Sequence, residues 1–185
     1  SWGFVNSIAF HDTATVWYGT VGNGFGLTTD GGATWRNWTF SQLGPEWQYV
    51  VPDGIEVRGD SVYIATADGL RITGDLGATW RCVQGQSAVS GGSERRDAGC
   101  TERINSLPSK YLLSLDVDAD GTIRVGHLGG LSISRDAGRT WFDARGIETV
   151  FFLLTLLGLM VAFRDRGFYD PGALWHVKVG DIILD

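Results

Sequence analysis

One eight-residue pattern, which we name the box, occurs three times in this chain of 185 residues. The copies are "TTDGGATW" at 28–35, "TGDLGATW" at 73–80 and "SRDAGRTW" at 134–141. They share Ser/Thr-x-Asp-x-Gly-x-Thr-Trp, and their aspartates Asp30, Asp75 and Asp136 are 45 and 61 residues apart. A pattern that recurs at such a period is typical of repeat architectures, whereas a catalytic centre needs only one copy.

The residues of the box suit a turn that is held by its own side chains. An Asp carboxylate accepts hydrogen bonds from backbone N–H groups just ahead of it, and a Gly two positions later allows φ > 0. The Thr hydroxyl bonds back to the turn, and the Trp packs its apolar ring beneath it. We therefore predict a structural, non-catalytic role for Asp30, Gly32, Thr34, Trp35, Asp75, Gly77, Thr79, Trp80, Asp136, Gly138, Thr140 and Trp141.

Strand-like segments surround each box. Two of them come before it, for example "VNSIAF" and "TVWYGT" before the first box. The second segment alternates apolar with small or polar residues, as a half-buried strand does. A third strand leads into the box, and the box Trp opens a fourth. Four short antiparallel strands in a period of about 45 residues are typical of a β-propeller blade.

We therefore predict an all-β chain that forms a β-propeller or a partial propeller of four-stranded antiparallel blades with box turns. The predicted blades are at about 4–38, 54–84 and 110–145 of a single domain, 1–185, with an insertion loop at 82–100. Three blades leave open edges. Further blades, self-association or another partner must cover them.

The three boxes resemble the Asp-box (BNR) repeat, and the resemblance covers about residues 4–145. That repeat occurs in the propellers of sialidases, xyloglucan-active glycosidases, sortilin-type receptors and photosystem assembly factors. The resemblance implies a propeller whose boxes lie away from the ligand-binding face. It does not choose among these activities, because one fold serves many functions.

The net charge and the spacing of possible metal ligands indicate which partners and cofactors the chain lacks. The net charge is −6 and the basic residues are mostly dispersed, so we expect no nucleic-acid partner. No Cys or His spacing is typical of zinc. Asp116, Asp118 and Asp120 alternate as in a calcium loop, but His127 stands where that loop needs Glu, and a hairpin turn explains them. We expect no metal and no cofactor.

The two cysteines, Cys82 and Cys100, flank a polar segment that is rich in Gly and Ser. They are either two reduced thiols or a disulfide, and we favour the disulfide because they stand at the two ends of the predicted loop. In the chain-entropy model such a bridge contributes up to ~3 kcal/mol, and it indicates an oxidising compartment. We therefore expect a secreted or extracytoplasmic protein, periplasmic or extracellular.

Fifteen residues without a charge, 149–163, allow two interpretations. One is a short membrane helix, with association through 150–163, although a membrane helix usually needs about 20 apolar residues. The other, which we favour, is a pair of buried strands in a divergent fourth blade at 149–185. One period after the third box, Asp181 stands at the position of the box aspartate.

The arginines that follow this stretch, Arg164 and Arg166, resemble those that bind a substrate carboxylate in sialidase blades. Guanidinium groups suit a carboxylate because they donate two parallel hydrogen bonds. Asp165 between them is a weak catalytic candidate. The alternative explanation of these residues is a cluster of surface charges where a loop begins. The Arg-Ile-Pro motif of sialidases is absent.

A second candidate site lies in "LGPEWQYVVPDG" at 43–54, an inter-blade insertion rich in aromatic residues. Trp47 and Tyr49 are suited to stack on a ligand. Glu46 and Asp53 are weak catalytic candidates, because glycoside hydrolysis needs paired carboxylates. An aromatic plug at the blade edge is the alternative explanation of this stretch.

The predicted function is a non-catalytic propeller module that recognises or scaffolds a protein or a glycan. The first alternative is a fragment of a glycoside hydrolase, of exo-sialidase or xyloglucanase type, so enzymatic activity stays open. The second alternative is a propeller subunit that is tethered to a membrane through 150–163.

Overall fold

The computed structural model describes residues 4–43, 49–85, 99–109, 111–143 and 152–157. The chain divides into two compact units, Ser1–Ala144 and Arg145–Asp185. The first unit contains three sheets.

The first sheet has four strands: β1 (Val5–Phe10), β2 (Val16–Thr20), β3 (Phe25–Thr28) and β4 (Arg36–Trp38). All neighbouring strands are antiparallel, in the order of the chain. Asp12 holds the turn between β1 and β2, because its Oδ1 accepts hydrogen bonds from the backbone N–H groups of Ala14 and Thr15, each at 2.7 Å. A one-turn helix, α1 (Phe40–Leu43), follows the sheet.

The second sheet has five strands: β5 (Val50–Arg58), β6 (Ser61–Thr66), β7 (Gly69–Thr73), β8 (Trp80–Gly85) and β9 (Cys100–Leu107). The first four are antiparallel, as predicted, but the sheet begins at Val50 rather than at 54. The fifth strand was not predicted, and it pairs with β8 in parallel. A disulfide joins Cys82 on β8 to Cys100 on β9, so the predicted bridge is confirmed.

The third sheet has four antiparallel strands: β10 (Leu112–Val117), β11 (Ile123–His127), β12 (Gly130–Ser134) and β13 (Phe142–Asp143). Asp120 Oδ1 accepts the backbone N–H of Thr122 at 2.9 Å in the turn between β10 and β11. Asp116 and Asp118 both form ion pairs with Arg124, which explains the alternating aspartates of this hairpin.

Two clusters of buried side chains hold the three sheets together. Alternate residues of β6 point to opposite faces, so Ile64 belongs to the cluster shared with the first sheet and Tyr63 to the cluster shared with the third. In the first cluster the rings of Trp17 and Trp38 stack with their centroids 5.6 Å apart, and Trp80 meets Trp38 edge-on at 5.5 Å. Aromatic packing therefore joins the first two sheets.

The first strand of each sheet, β1, β5 or β10, stands at one edge of its sheet. Side chains tie these three strands to one another. Asn6 Nδ2 on β1 donates to the Val50 carbonyl on β5 at 2.9 Å. Arg58 Nε on β5 donates to the Val117 carbonyl on β10 at 2.6 Å. The three first strands are thus neighbours, with β5 in the middle.

In the second unit the described residues are 152–157, and they form a helix with exposed side chains. A strand of the divergent fourth blade was expected at this place. Leu has a high helix propensity, and it dominates these six residues, which contain neither Gly nor Pro. The other residues of 149–185 lie outside the described ranges, so the fourth blade stays a prediction. Among the described residues, no helix has the length and apolar character needed to cross a membrane.

Candidate functional site

The two ends of the three sheets carry different kinds of turn. Because neighbouring strands are antiparallel, the turns after the first and third strands of a sheet lie at the same end. The boxes follow the third strands β3, β7 and β12, so we name this end the box end. We name the opposite end the loop end. The chain segments that follow β4 and β8 start from the loop end. These segments differ more between the repeats than the box turns do.

Each box carboxylate is bound within its own turn. Asp75 Oδ1 accepts hydrogen bonds from Thr73 Oγ1 at 2.7 Å and from the backbone N–H of Thr79 at 2.8 Å, and its Oδ2 accepts one from Thr79 Oγ1 at 2.6 Å. Asp30 and Asp136 accept the same three bonds in their boxes. Chiefly through the bond from the Thr hydroxyl at Asp+4, these contacts lower the pKa of each carboxyl group to about 2.

The second and third boxes also contact the preceding sheet, a contact that the sequence analysis did not predict. Arg36 Nη2 on β4 donates to the Gly77 carbonyl of the second box at 3.0 Å. A methyl group at Gly77 would lie 2.6 Å from the Trp38 ring, and the φ of 79° also favours Gly. In the third box the Gly138 carbonyl accepts a hydrogen bond from Ser106 Oγ on β9 at 2.9 Å. The box therefore joins adjacent sheets as well as turning the chain.

The box tryptophans differ in exposure according to whether a sheet precedes them. Trp80 is 2% exposed and lies against the aromatic residues of the first sheet. Trp141 is half-buried and packs on the cluster of the second sheet. Trp35 belongs to the first sheet and is 43% exposed, with Tyr18 edge-on at 5.1 Å. A preceding sheet is what covers a box Trp.

Comparison with known proteins identifies the architecture. No family model and no curated protein matches the sequence. The structure is similar to YCF48 from Cyanidioschyzon merolae, at 15% identity and a TM-score of 0.50, over 76% of this chain and 36% of that one. It is also similar to an ancestral GH74 enzyme, at 15% identity and a TM-score of 0.51, over 75% of this chain and 18% of that one. The fold is a partial β-propeller.

The predicted fold class is thus confirmed, and the three sheets are blades 1, 2 and 3. At such low identity the likeness to these two structures concerns the fold alone. This chain spans about a third of the length of one and under a fifth of the other. Function must therefore be argued from the residues of this chain.

Each blade presents an aromatic residue at the loop end, one position before its first strand. Phe4 precedes β1, Tyr49 precedes β5 and Tyr111 precedes β10, and all three are exposed. We name these residues the aromatic row, since their strands are neighbours. Tyr49 was a predicted binding residue, whereas Phe4 and Tyr111 were missed. Their common position relative to the blade repeat was a signal that the sequence already contained.

Backbone contacts connect the aromatic row between blades 1 and 2. The backbone N–H of Val21 donates to the Phe4 carbonyl at 3.0 Å, and Val21 also forms a β-bridge with Tyr49. The Tyr49 ring lies close to Gly22, where a methyl group would come within 3.1 Å of it. Around the row, the loop end exposes the apolar side chains of Val5, Val21, Leu113 and Leu128.

Of the predicted carboxylates, Asp53 is described by the structure. It is exposed in an irregular stretch of β5, with a φ of 49°. With Glu56 it lines a groove of about 300 Å³ between β1 and β5, and Glu56 forms an ion pair with Arg58 at 2.8 Å. Across the described ranges, no group of three or more His, Cys, Asp or Glu residues is arranged to hold a metal ion. The other candidates lie outside those ranges: Glu46, Trp47, Arg164, Asp165 and Arg166.

Proposed function

We propose that this chain is a non-catalytic propeller module that binds a protein at its loop end, with the aromatic row as the anchor. The observation that carries the proposal is the exposure of Phe4, Tyr49 and Tyr111 at equivalent positions of three adjacent blades. Contiguous exposed apolar surface marks interaction sites. The aliphatic residues around the row extend that surface.

The chemistry of the row favours a protein segment with apolar side chains. Tyr and Phe are enriched in protein interfaces, where a few aromatic anchors carry most of the binding energy. The Tyr hydroxyls add hydrogen-bonding groups at the edge of the apolar surface. A glycan is the other ligand class that stacks on aromatic rings, and the experiment below separates the two.

A hydrolase has less support from the described residues. Glycoside hydrolysis needs two carboxyl groups that flank the scissile bond, one of them a proton donor. Asp53 and Glu56 line one groove, but Glu56 is already engaged by Arg58. The box aspartates, with a pKa of about 2, are fully ionised near neutral pH and do not suit the proton-donor role.

The disulfide supports an extracytoplasmic location for this module. Disulfides persist in oxidising compartments and are rare in reducing ones. Cys82 is fully buried beside the aromatic cluster of blades 1 and 2, so the bridge belongs to the folded core of the domain. We infer that the chain folds in an oxidising compartment.

The test is a binding screen with a random peptide library displayed on phage, followed by calorimetry on the selected peptides. We expect Tyr49→Ser and Tyr111→Ser each to weaken peptide binding by about tenfold or more, as at an interface hot spot. Leu76→Ser is the matched control, because Leu76 is an exposed apolar residue of the box end. Peptide binding that survives both Tyr variants would contradict the proposal.

Sialosides and β-glucans are tested in the same assay. Binding of a glycan that is lost in Tyr49→Ser would change the ligand class from protein to carbohydrate. Hydrolysis of either substrate, abolished by Asp53→Asn or Glu56→Gln in a folded variant, would overturn the non-catalytic assignment.

A further inference from the structure

The first strand of blade 2 has a wider bulge than the first strands of the other two blades. In β1 and β10 the pairing with the next strand skips one residue. In β5 the four residues 51–54, which we name the β5 bulge, lie opposite one residue of β6, Ala65. The bulge is at the loop end, because Val50 before it pairs with Thr66, the last residue of β6. Bulges are frequent at sheet edges and next to active sites, where they re-aim a side chain.

Hydrogen bonds from blade 1 hold both ends of the β5 bulge. Just before it, the Val50 carbonyl accepts a hydrogen bond from Asn6 Nδ2 at 2.9 Å. Just after it, the backbone N–H of Ile55 donates to Ser7 Oγ at 3.0 Å. Within the bulge, Val51 is buried in the cluster shared by blades 2 and 3. The bulge is therefore a packed part of the fold that two blades keep in place.

Asp53 is the charged residue of the β5 bulge. Its φ of 49° lies in the left-handed region, which few residues other than Gly adopt and which Asp and Asn enter more readily than most. The surrounding structure must maintain such a conformation, and this motivates a functional hypothesis. The Asp53 carboxylate is exposed, and within the described ranges it forms no hydrogen bond or ion pair.

Asp53 also gives the groove between β1 and β5 its net charge. The charged side chains that line this groove are Asp53, Glu56 and Arg58. Glu56 and Arg58 form an ion pair at 2.8 Å, so two carboxylates and one guanidinium group leave a net charge of −1 beside Asp53. The volume of about 300 Å³ is at the lower end of the range of ligand pockets, which is about 300–1,000 Å³. The groove thus suits a single cationic side chain.

We propose that Asp53 is a specificity residue of the loop end, and that its carboxylate binds a Lys or Arg side chain of the partner protein. The inference rests on the proposed function, in which apolar side chains of the same segment pack on the aromatic row. Tyr49 of that row precedes the β5 bulge by one residue, so one short stretch of chain carries both groups.

The two groups have different tasks in recognition. Apolar contacts with the aromatic row supply affinity, whereas a charge at one point fixes the register of the bound segment and disfavours acidic segments. The net charge of −6 adds a long-range attraction for a basic partner. The chemistry of the loop end therefore fits a segment in which a basic residue stands near apolar ones.

The test uses the full chain and the peptides that the phage library yields, with calorimetry as the measurement. We expect the selected peptides to be enriched in Lys and Arg. Asp53→Asn should weaken their binding about fivefold, since it removes the charge but keeps the size and the tolerance for a positive φ. Asp60→Asn is the matched control and should leave binding unchanged, because Asp60 is an exposed Asp in the turn at the other end of β5.

A substitution in the peptide gives a readout that a structural role of Asp53 would not move. Replacing the basic residue of a selected peptide by Met should weaken binding to the unmodified chain about fivefold. The same replacement should leave binding to Asp53→Asn nearly unchanged, because both substitutions remove the same ion pair. Higher salt should reduce the difference between the unmodified chain and the variant.

The outcomes distinguish this inference from the proposed function. Suppose that Tyr49→Ser and Tyr111→Ser weaken binding and Asp53→Asn does not. The role of Asp53 is then overturned, and the aromatic anchor stands. An Asp53→Asn effect that persists in full with the Met peptide also overturns the ion pair. If Asp53→Asn weakens binding and the Tyr variants do not, the cation site stands and the anchor is overturned. A library that yields no binding peptide overturns both.

Discussion

The first and second boxes have the same local structure and different surroundings. In both, the Asp carboxylate accepts three hydrogen bonds whose lengths agree to within 0.1 Å, and in both its pKa is about 2. Trp80 of the second box is nevertheless buried among aromatic rings of blade 1, while Trp35 of the first box is exposed. The turn forms in the same way whether or not another blade covers it.

This difference separates two tasks that the box performs. The hydrogen bonds of Asp and Thr close the turn within one blade. The Trp ring and the Gly carbonyl join that blade to the preceding one, as the Arg36 bond to Gly77 shows. A substitution of the Asp or Thr should therefore destabilise both boxes equally. A substitution of the Trp or Gly should destabilise the protein more in the second box, where a preceding blade is present.

The largest expected difference comes from truncating the two tryptophans. Trp80→Ala should lower the free energy of unfolding by about 3–5 kcal/mol, because it leaves a cavity between blades 1 and 2. Trp35→Ala should lower it by about 1 kcal/mol or less, since the ring is already exposed to solvent. Urea unfolding of both variants measures the difference. Equal losses would mean that the contact between the blades contributes little to stability.

Removing the disulfide tests what is special about blade 2, which alone among the three blades has a fifth described strand. The bridge closes a loop with a sequence separation of 18, so the double variant Cys82→Ala/Cys100→Ala should lose about 3 kcal/mol. The measurement is thermal or urea unfolding of the oxidised protein and of the variant. Adding a reductant should destabilise the unmodified chain and leave the variant unchanged. A reductant effect on the variant would show that another process is responsible.

The two box glycines provide a matched pair for the contact between blades. Both have a positive φ, so Gly32→Ala and Gly77→Ala share a cost of about 1–2 kcal/mol for the left-handed conformation. The new methyl group meets the Trp38 ring at Gly77, whereas at Gly32 it is 3.8 Å from Trp35. Gly77→Ala should therefore cost about 1–3 kcal/mol more in unfolding free energy. Indistinguishable values would place the Trp38 ring further from the box than the structure does.

The smallest expected difference is in pH dependence. Folding lowers the pKa of Asp30 and Asp75 from 3.8 to about 2, so the stabilisation by each carboxylate is complete above pH ~5 and is lost as the pH falls from about 4 to about 2. Asp30→Asn and Asp75→Asn should flatten the stability profile in this range by equal amounts, because the bonds are local. Unfolding free energies across acidic pH measure this. Unequal slopes would show that burial by the preceding blade contributes.

The features that the sequence analysis predicted correctly depend on residues that are close in sequence or that recur at a regular spacing. The blade pattern was readable because strands alternate with a period of two and the boxes repeat along the chain. The disulfide was predictable because Cys82 and Cys100 stand at the two ends of one loop. The role of Tyr49 in binding stays a prediction; the structure shows that it is exposed, as are Phe4 and Tyr111 at the same position of the other blades.

The features that were missed depend on contacts between distant residues. β9 is largely polar, with Glu102 paired to Arg81 on β8, so it lacked the apolar alternation that marks a strand. Its parallel pairing needs a long connection that local patterns do not specify. Residues 152–157 were expected as a strand because an apolar run of this length fits a buried strand or a helix equally well.

The eight residues of a box contain every donor and acceptor that closes its turn, and for this reason the same motif folds alike at three places in the chain. Whether its Trp faces protein or water depends on a sheet formed by residues about one repeat away, because burial is a property of the assembled blades and not of the local sequence. The same holds for the aromatic row: each residue precedes a strand of its own segment, and the contacts of β5 with β1 and β10 place the three on neighbouring strands.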